Sequence, residues 1–289
     1  MWLPPQANFH FIVLRLVLLA ILLLPGISES YGSIILGSEK GRLFIYWGWN
    51  RGWYSKSNIG FLGDDYNFNL KRVVAKDRQS PFSFNKYLNP ATISIPQYNF
   101  RIGYFLNDRW AVSVGMDHMK YVMVNDQTVK ISGTIEGHNY DGAYQNEDIV
   151  LTPDFLLFEH TDGLNYANIG LSRFDQLLDL NKVKISLIEG VGIGLLVPRT
   201  NATLFGEERY DEFHVSGFGF DLNVGLNATF FKYFFIQSEL KGGFIDMPDI
   251  RTTKFEADKA KQSFYFLQSN IVFGVKVRVV REKGKSKDL

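Results

Sequence analysis

GFGFDLNVGLNATFFKYFFIQSELKGG, residues 217–243, decides the fold. Along its first arm Phe218, Phe220, Leu222, Val224, Leu226, Ala228 and Phe230 alternate with Gly219, Asp221, Asn223, Gly225, Asn227 and Thr229. Successive side chains of a strand point to opposite faces, so this arm has one apolar face and one polar, glycine-rich face. A soluble barrel would turn the apolar face inward. An eight-stranded barrel, however, has an interior only just wide enough for side chains, and glycine and compact polar residues fit it better. The apolar face therefore points outward, to lipid.

The same alternation recurs eight times: over residues 43–50, 97–105, 110–122, about 157–174, 183–197, the two arms of the opening hairpin, and 264–279. Connections 107–109, about 175–182 and 231–233 are short, whereas 51–96, 125–154, 198–213 and 247–262 are long. Short and long connections alternating around an even number of antiparallel strands is the layout of a transmembrane β-barrel, with short periplasmic turns and long outer loops. The expected fold is all-β: one closed, eight-stranded antiparallel transmembrane barrel. The crowd Phe230, Phe231, Tyr233, Phe234 and Phe235 reads as an aromatic girdle at the inner interface, with Lys232 reaching water. Glu189 falls on the lipid face of the fifth strand, and a bulge between Leu187 and Gly190 is expected to turn it away.

The ends and the composition agree with export. LVLLAILLL, residues 16–24, follows Arg15 and precedes Pro25-Gly26, and Ser28 and Ser30 place a cleavage site before Tyr31. Residues 1–30 read as a signal peptide, 31–280 as the barrel domain and 281–289 as a polar periplasmic tail. The chain has no cysteine, which excludes disulfides, thiolate metal sites and a cysteine nucleophile. Net charge is +1 with no basic stripe, so nucleic acid is not an expected partner. No later stretch is apolar enough for a spanning helix. His118, His138, His160 and His214 are scattered, so no metal and no cofactor are expected.

The chain resembles the eight-stranded outer-membrane barrels of Gram-negative bacteria, a superfamily that includes porin-like proteins and lipid A deacylases. FIYWGWNRGWYSKSNI, IPQYNFRIGYFLNDRWAVSVGMDHMKYVM, FEHTDGLNYANIGLSRFD and FFIQSELKGGFIDMPDI are similar to stretches of a widespread, uncharacterised barrel family. The resemblance implies bacterial outer-membrane localisation and a monomer in contact with outer-membrane lipid and lipopolysaccharide. GVKVRVV, residues 274–280, resembles the signal read by the barrel assembly machinery during insertion.

Two groups of residues are candidates for function. Lipid A deacylases carry a strand with a histidine, a serine two residues on and a nearby acidic residue. In FEHTDGLNY His160 occupies the histidine position and Asp162 the serine position. Two apart, both are expected to face the lumen near the outer rim, with Asp117 at the same level. A histidine beside carboxylates there could serve as general base on a lipid ester. The second group is an inward network of Arg101, Asp117, Asp221, Glu239 and Lys241, interleaved with amides. Charges enclosed in a narrow barrel must pair, which predicts a salt-bridged plug. The leading expectation is a non-enzymatic outer-membrane barrel with a sealed polar lumen, structural or interacting through its outer loops. The alternatives are a carboxylic ester hydrolase acting on outer-leaflet lipid and a narrow pore for small solutes.

Overall fold

The structure, a computed structural model, describes residues 38–89, 96–207 and 209–279. The expected signal peptide and polar tail lie outside them. In chain order the strands are β1 (Arg42–Tyr54), β2 (Ser57–Leu62), β3 (Tyr66–Val73), β4 (Ala75–Lys76), β5 (Tyr98–Phe105), β6 (Trp110–Met123) and β7 (Thr128–Ile135). They continue as β8 (Gly142–Val150), β9 (Leu156–Asp179), β10 (Val183–Leu196), β11 (Asn201–Leu204), β12 (Gly217–Phe230), β13 (Phe234–Arg251) and β14 (Lys259–Arg278). A short helix, α1 (Phe84–Leu88), precedes β5.

Eight of these strands form the ring β1-β5-β6-β9-β10-β12-β13-β14, every pair antiparallel. The ring closes because β14 pairs with β1 from Arg42↔Arg278 to Tyr54↔Phe266. Closure leaves the wall without the unpaired edge that hydrocarbon would penalise. The alternation read from residues 217–230 is realised: Phe218, Phe220 and Leu226 are exposed on the outside, while Asp221, Asn223 and Asn227 are buried within. Ile102, Val114, Ile169, Ile193 and Ile271 extend the apolar outer band around the ring. The chain is a transmembrane β-barrel.

Glu189 keeps its outward place, and the expected bulge beside it is absent. The register irregularity falls between Ile185 and Ser186, with Leu177 of β9 as the extra residue. Glu189 instead lies directly opposite Arg173 across the β9–β10 ladder, and Arg173 pairs with Asp175 at 2.8 Å. The carboxylate thus stays on the outer face, opposite a cation whose own ion pair is with Asp175. The inner girdle also needs one correction. Phe231, Tyr233 and Phe234 are exposed at the inner end, but Phe235 turns into the lumen, where its ring meets Phe44 and Tyr46.

The long connections are not simple loops. β2, β3, β7 and β8 continue the sheet outward from the upper end of β14, beginning at Lys259↔Leu62, and β11 adds to the upper end of β9. In β3 Tyr66, Phe68 and Leu70 are buried while Asn67, Asn69 and Lys71 are exposed, the period-two pattern of a half-buried strand. Phe61 stacks on Phe68 at 5.0 Å, and both join one apolar cluster with Ile131, Phe155, Tyr166, Phe264 and Phe266. Residues of the cap and of the upper barrel wall thus share a core over the outer mouth.

Candidate functional site

The lumen is filled at three levels, each by a different chemistry. At the inner end Phe44, Tyr46, Phe105 and Phe235 pack together inside the ring. Gly103 makes room for this cluster: a Cβ there would meet the Phe44 ring at 2.1 Å. Lys276 lies between 5.2 and 5.6 Å from the rings of Phe105, Phe174 and Phe235, a cation–π seat inside the barrel floor. The lumen is therefore apolar at its base, which the glycine and amide pattern of the upper strands did not indicate.

The middle level is ionic, and it brings together all five residues of the expected network. Lys241 Nζ donates to Asp117 Oδ2 at 2.5 Å and lies 3.9 Å from Glu239 and 4.0 Å from Asp221. Arg101 reaches Asp117 at 3.5 Å and donates to Asn168 Oδ1 at 2.6 Å. Amides complete the set: Gln237 and Asn270 each donate to Glu239 at 3.1 Å. Tyr166 Oη lies 3.0 Å from Asp221 and 3.1 Å from the Gly219 carbonyl. Every charge has a partner of opposite sign or a hydrogen bond, the condition for holding ions in a dry interior.

The upper level is the cap, and His160 sits in it. Its side chain is completely buried beyond the lipid-facing run of β9, against Phe158 and Tyr121. Nδ1 pairs with Thr200 Oγ1 at 3.0 Å. Burial pulls its pKa down to about 4, against a smaller upward pull from the Gln262 amide, so the ring is neutral at physiological pH. Nearby, Gln262 donates to Tyr121 Oη at 2.6 Å and to Ser57 Oγ at 2.8 Å.

The three candidate hydrolase residues occupy three separate environments. His160 faces Thr200 in the cap core. Asp117 is held by Lys241 and Arg101 in the lumen. Asp162 is on the surface, between Arg199 at 3.7 Å and Arg209 at 3.5 Å. The separation of His160 and Asp162 has a local cause. The β6–β9 register passes from Met119↔Leu164 to Tyr121↔His160, so residues 161–163 stand opposite Lys120 alone. Gly163 adopts φ +135° there, a conformation that L side chains rarely take, and alternation is lost across the bulge. The glycine in HTDG was the available signal. Among the described residues no group of three or more His, Asp or Glu side chains is arranged to hold a metal ion.

No protein-family model matches the chain, and no curated protein sequence does. Among solved structures it is similar to the outer membrane protein OprG from Pseudomonas aeruginosa, at 11% identity and TM-score 0.37, over 84% of this chain and 99% of that one. It is similar to the outer membrane protein AlkL at 11% identity and TM-score 0.35, over 89% and 100% of the two chains. It is also similar to Ail, the attachment invasion locus protein of Yersinia pestis, at 12% identity and TM-score 0.28, over 81% and 99%. Likeness of this degree decides nothing about role. The ring itself carries the placement: a closed barrel with an apolar outer band, girdled by Trp110, Phe231, Tyr233 and Phe234 at its inner end, is an outer-membrane protein.

Proposed function

We propose that this protein is a non-conducting outer-membrane barrel whose working surface is its folded outer cap. The observation that carries this reading is the completely buried Lys241 at the centre of the lumen, tied to Asp117 with Glu239 and Asp221 around it. The aromatic cluster below and the apolar cap core above support a lumen closed at both ends. With the lumen occupied, contacts with the surroundings fall to the cap and to the outer wall of the ring. The barrel then serves as a rigid membrane base for β2, β3, β7, β8 and β11. An ester hydrolase has less support, because His160 is buried beside Thr200 and no carboxylate joins it among the described residues.

Swelling of proteoliposomes in solutions of small sugars tests the proposal. Vesicles containing the purified full chain should swell no faster than empty ones. Swelling that depends on solute size in the way of a pore would overturn the reading.

A further inference from the structure

The cap chain leaves the barrel mouth on one side and lies against the outer wall. Above Trp49↔Tyr98 the β1–β5 ladder stops, and residues 77–79 take its place. Asp77 accepts from the Gly52 amide at 2.9 Å, and Gln79 donates to the Asn50 carbonyl at 3.3 Å. The chain that follows bends outward into α1. There Tyr87 rests its ring 5.6 Å from that of Trp49, and its hydroxyl donates to the Ser80 carbonyl at 2.8 Å. Phe82 packs on Tyr87 and on Phe84, each at 5.3 Å, yet Phe82 is 71% and Phe84 72% exposed.

The wall beneath this segment carries an unusual residue. Trp49 and Trp53 share the outward face of β1 with Arg51, because their ladder partners Ile271, Leu267 and Ser269 lie on the outward face of β14. Arg51 is exposed and lies over the Trp53 ring at 5.6 Å. Among the described residues neither Arg51 nor Lys86 of α1 forms an ion pair. A cation on the outer wall, bracketed by tryptophans at the outer end of the apolar band, stands where lipid headgroups begin. Phe82 and Phe84, exposed on the segment that rests on Trp49 through Tyr87, offer the apolar edge that interfacial elements set beside a cationic one.

We infer that Arg51 and Lys86, with Trp49, Trp53, Phe82 and Phe84, bind a phosphate-bearing lipid of the outer leaflet. The guanidinium of Arg51 suits a phosphate because it presents paired N–H donors, and Lys86 adds a second charge from α1. The aromatic edges take the acyl chains, so the ligand is a lipid rather than free phosphate. The inference rests on the barrel's place in the outer membrane and goes beyond the sealed lumen.

The test uses the full chain in phosphatidylcholine bilayers doped with phosphatidic acid, with native mass spectrometry reading the lipid retained on extraction. Wild type should retain phosphatidic acid over phosphatidylcholine. Arg51→Ala and Lys86→Ala should each lower that preference about fivefold, the effect of one basic residue at a membrane surface. Arg51→Lys should keep most of it, and Lys71→Ala, in the cap, should keep all of it. Lys86 stands on an exposed excursion, so its variant decides the matter if Arg51→Ala fails to fold. Equal retention of both lipids by wild type, or no change on losing either cation, would overturn the proposal. Displacement by millimolar inorganic phosphate would do the same by assigning the site to the free ion. Swelling of the same vesicles reads the lumen independently, so failure of one idea leaves the other standing.

Discussion

Lys241 and Asp117 meet across the middle of the lumen, Nζ to Oδ2 at 2.5 Å, with both side chains at most 1% exposed. They are donated by β13 and β6, strands that are not neighbours in the ring, so the pair spans the interior instead of bracing one wall. Removing one partner leaves the other's charge uncompensated, which in dry interiors costs about 3–5 kcal/mol. Lys241→Met is expected to destabilise the barrel by an amount of that order in urea titrations of the reconstituted protein. A loss under about 1 kcal/mol would mean that water reaches the cluster.

The cluster holds three carboxylates against two cations, and their surroundings differ. Asp117 contacts both Lys241 and Arg101, whereas Asp221 lies 4.0 Å from Lys241 and is otherwise served by Tyr166 and Asn223. Asp221→Asn removes the surplus negative charge and keeps hydrogen-bonding capacity, so it should cost less than Asp117→Asn. The same urea titrations compare the two, and the reverse order would contradict this division of the network.

Much of this arrangement is written in alternation, and its gaps have physical causes. The inward positions of Arg101, Asp117, Asp221, Glu239 and Lys241 follow from period two, because a residue slip would move a whole polar set into lipid. Bulges break that rule. Around Gly163 the three-against-one register sends Asp162 to the surface, although a count of alternate residues from Tyr166 puts it on the same face as buried His160. At Leu177 the irregularity lies on the strand opposite the one where Glu189 made it seem necessary. The cap strands were legible but overshadowed. Tyr66-Phe68-Leu70 and Val129-Ile131 alternate as cleanly as the wall, yet they lie within stretches whose length alone suggested solvated loops. The inward turn of Phe235 was hidden because aromatics at a barrel end read equally well as girdle.

Gly163 sets the bulge, so Gly163→Ala is expected to act on the cap more than on the ring. An added Cβ would meet the Asn165 side chain at 2.6–2.9 Å, at φ +135°. The cost should be about 1–3 kcal/mol, read as faster amide exchange in residues 156–164 while β12 and β13 stay protected. Unchanged exchange throughout would show that the bulge does not depend on glycine.

His160 gives the cap a pH dependence of definite sign. Its folded-state pKa of about 4 lies below the usual 6.5, so the opened cap takes up a proton that the closed cap refuses. The contribution of the neutral ring is complete above about pH 6.5 and falls away between there and pH 4, by on the order of 3 kcal/mol. Limited proteolysis of the cap should accelerate over that interval, and His160→Leu should flatten the profile. Acceleration that persists in His160→Leu would assign the effect to another group.

On the lipid face, Glu189 lies opposite Arg173, whose ion pair is with Asp175. Arg173→Leu leaves Asp175 without its cation and removes the positive charge opposite Glu189, and should lower stability by about 1–3 kcal/mol, while Glu189→Leu should be neutral or stabilising. Equilibrium unfolding in lipid vesicles measures both, and a costly Glu189→Leu would indicate a polar partner on that face.

The most direct test of the sealed lumen is single-molecule conductance of the full chain in a planar bilayer, recorded beside the Lys241→Ala and Arg101→Ala variants. Wild type should insert without producing current steps at any moderate voltage, since floor, ion cluster and cap each block the path. Steady ohmic steps from wild type, or steps from a variant that is as stable as wild type, would contradict it.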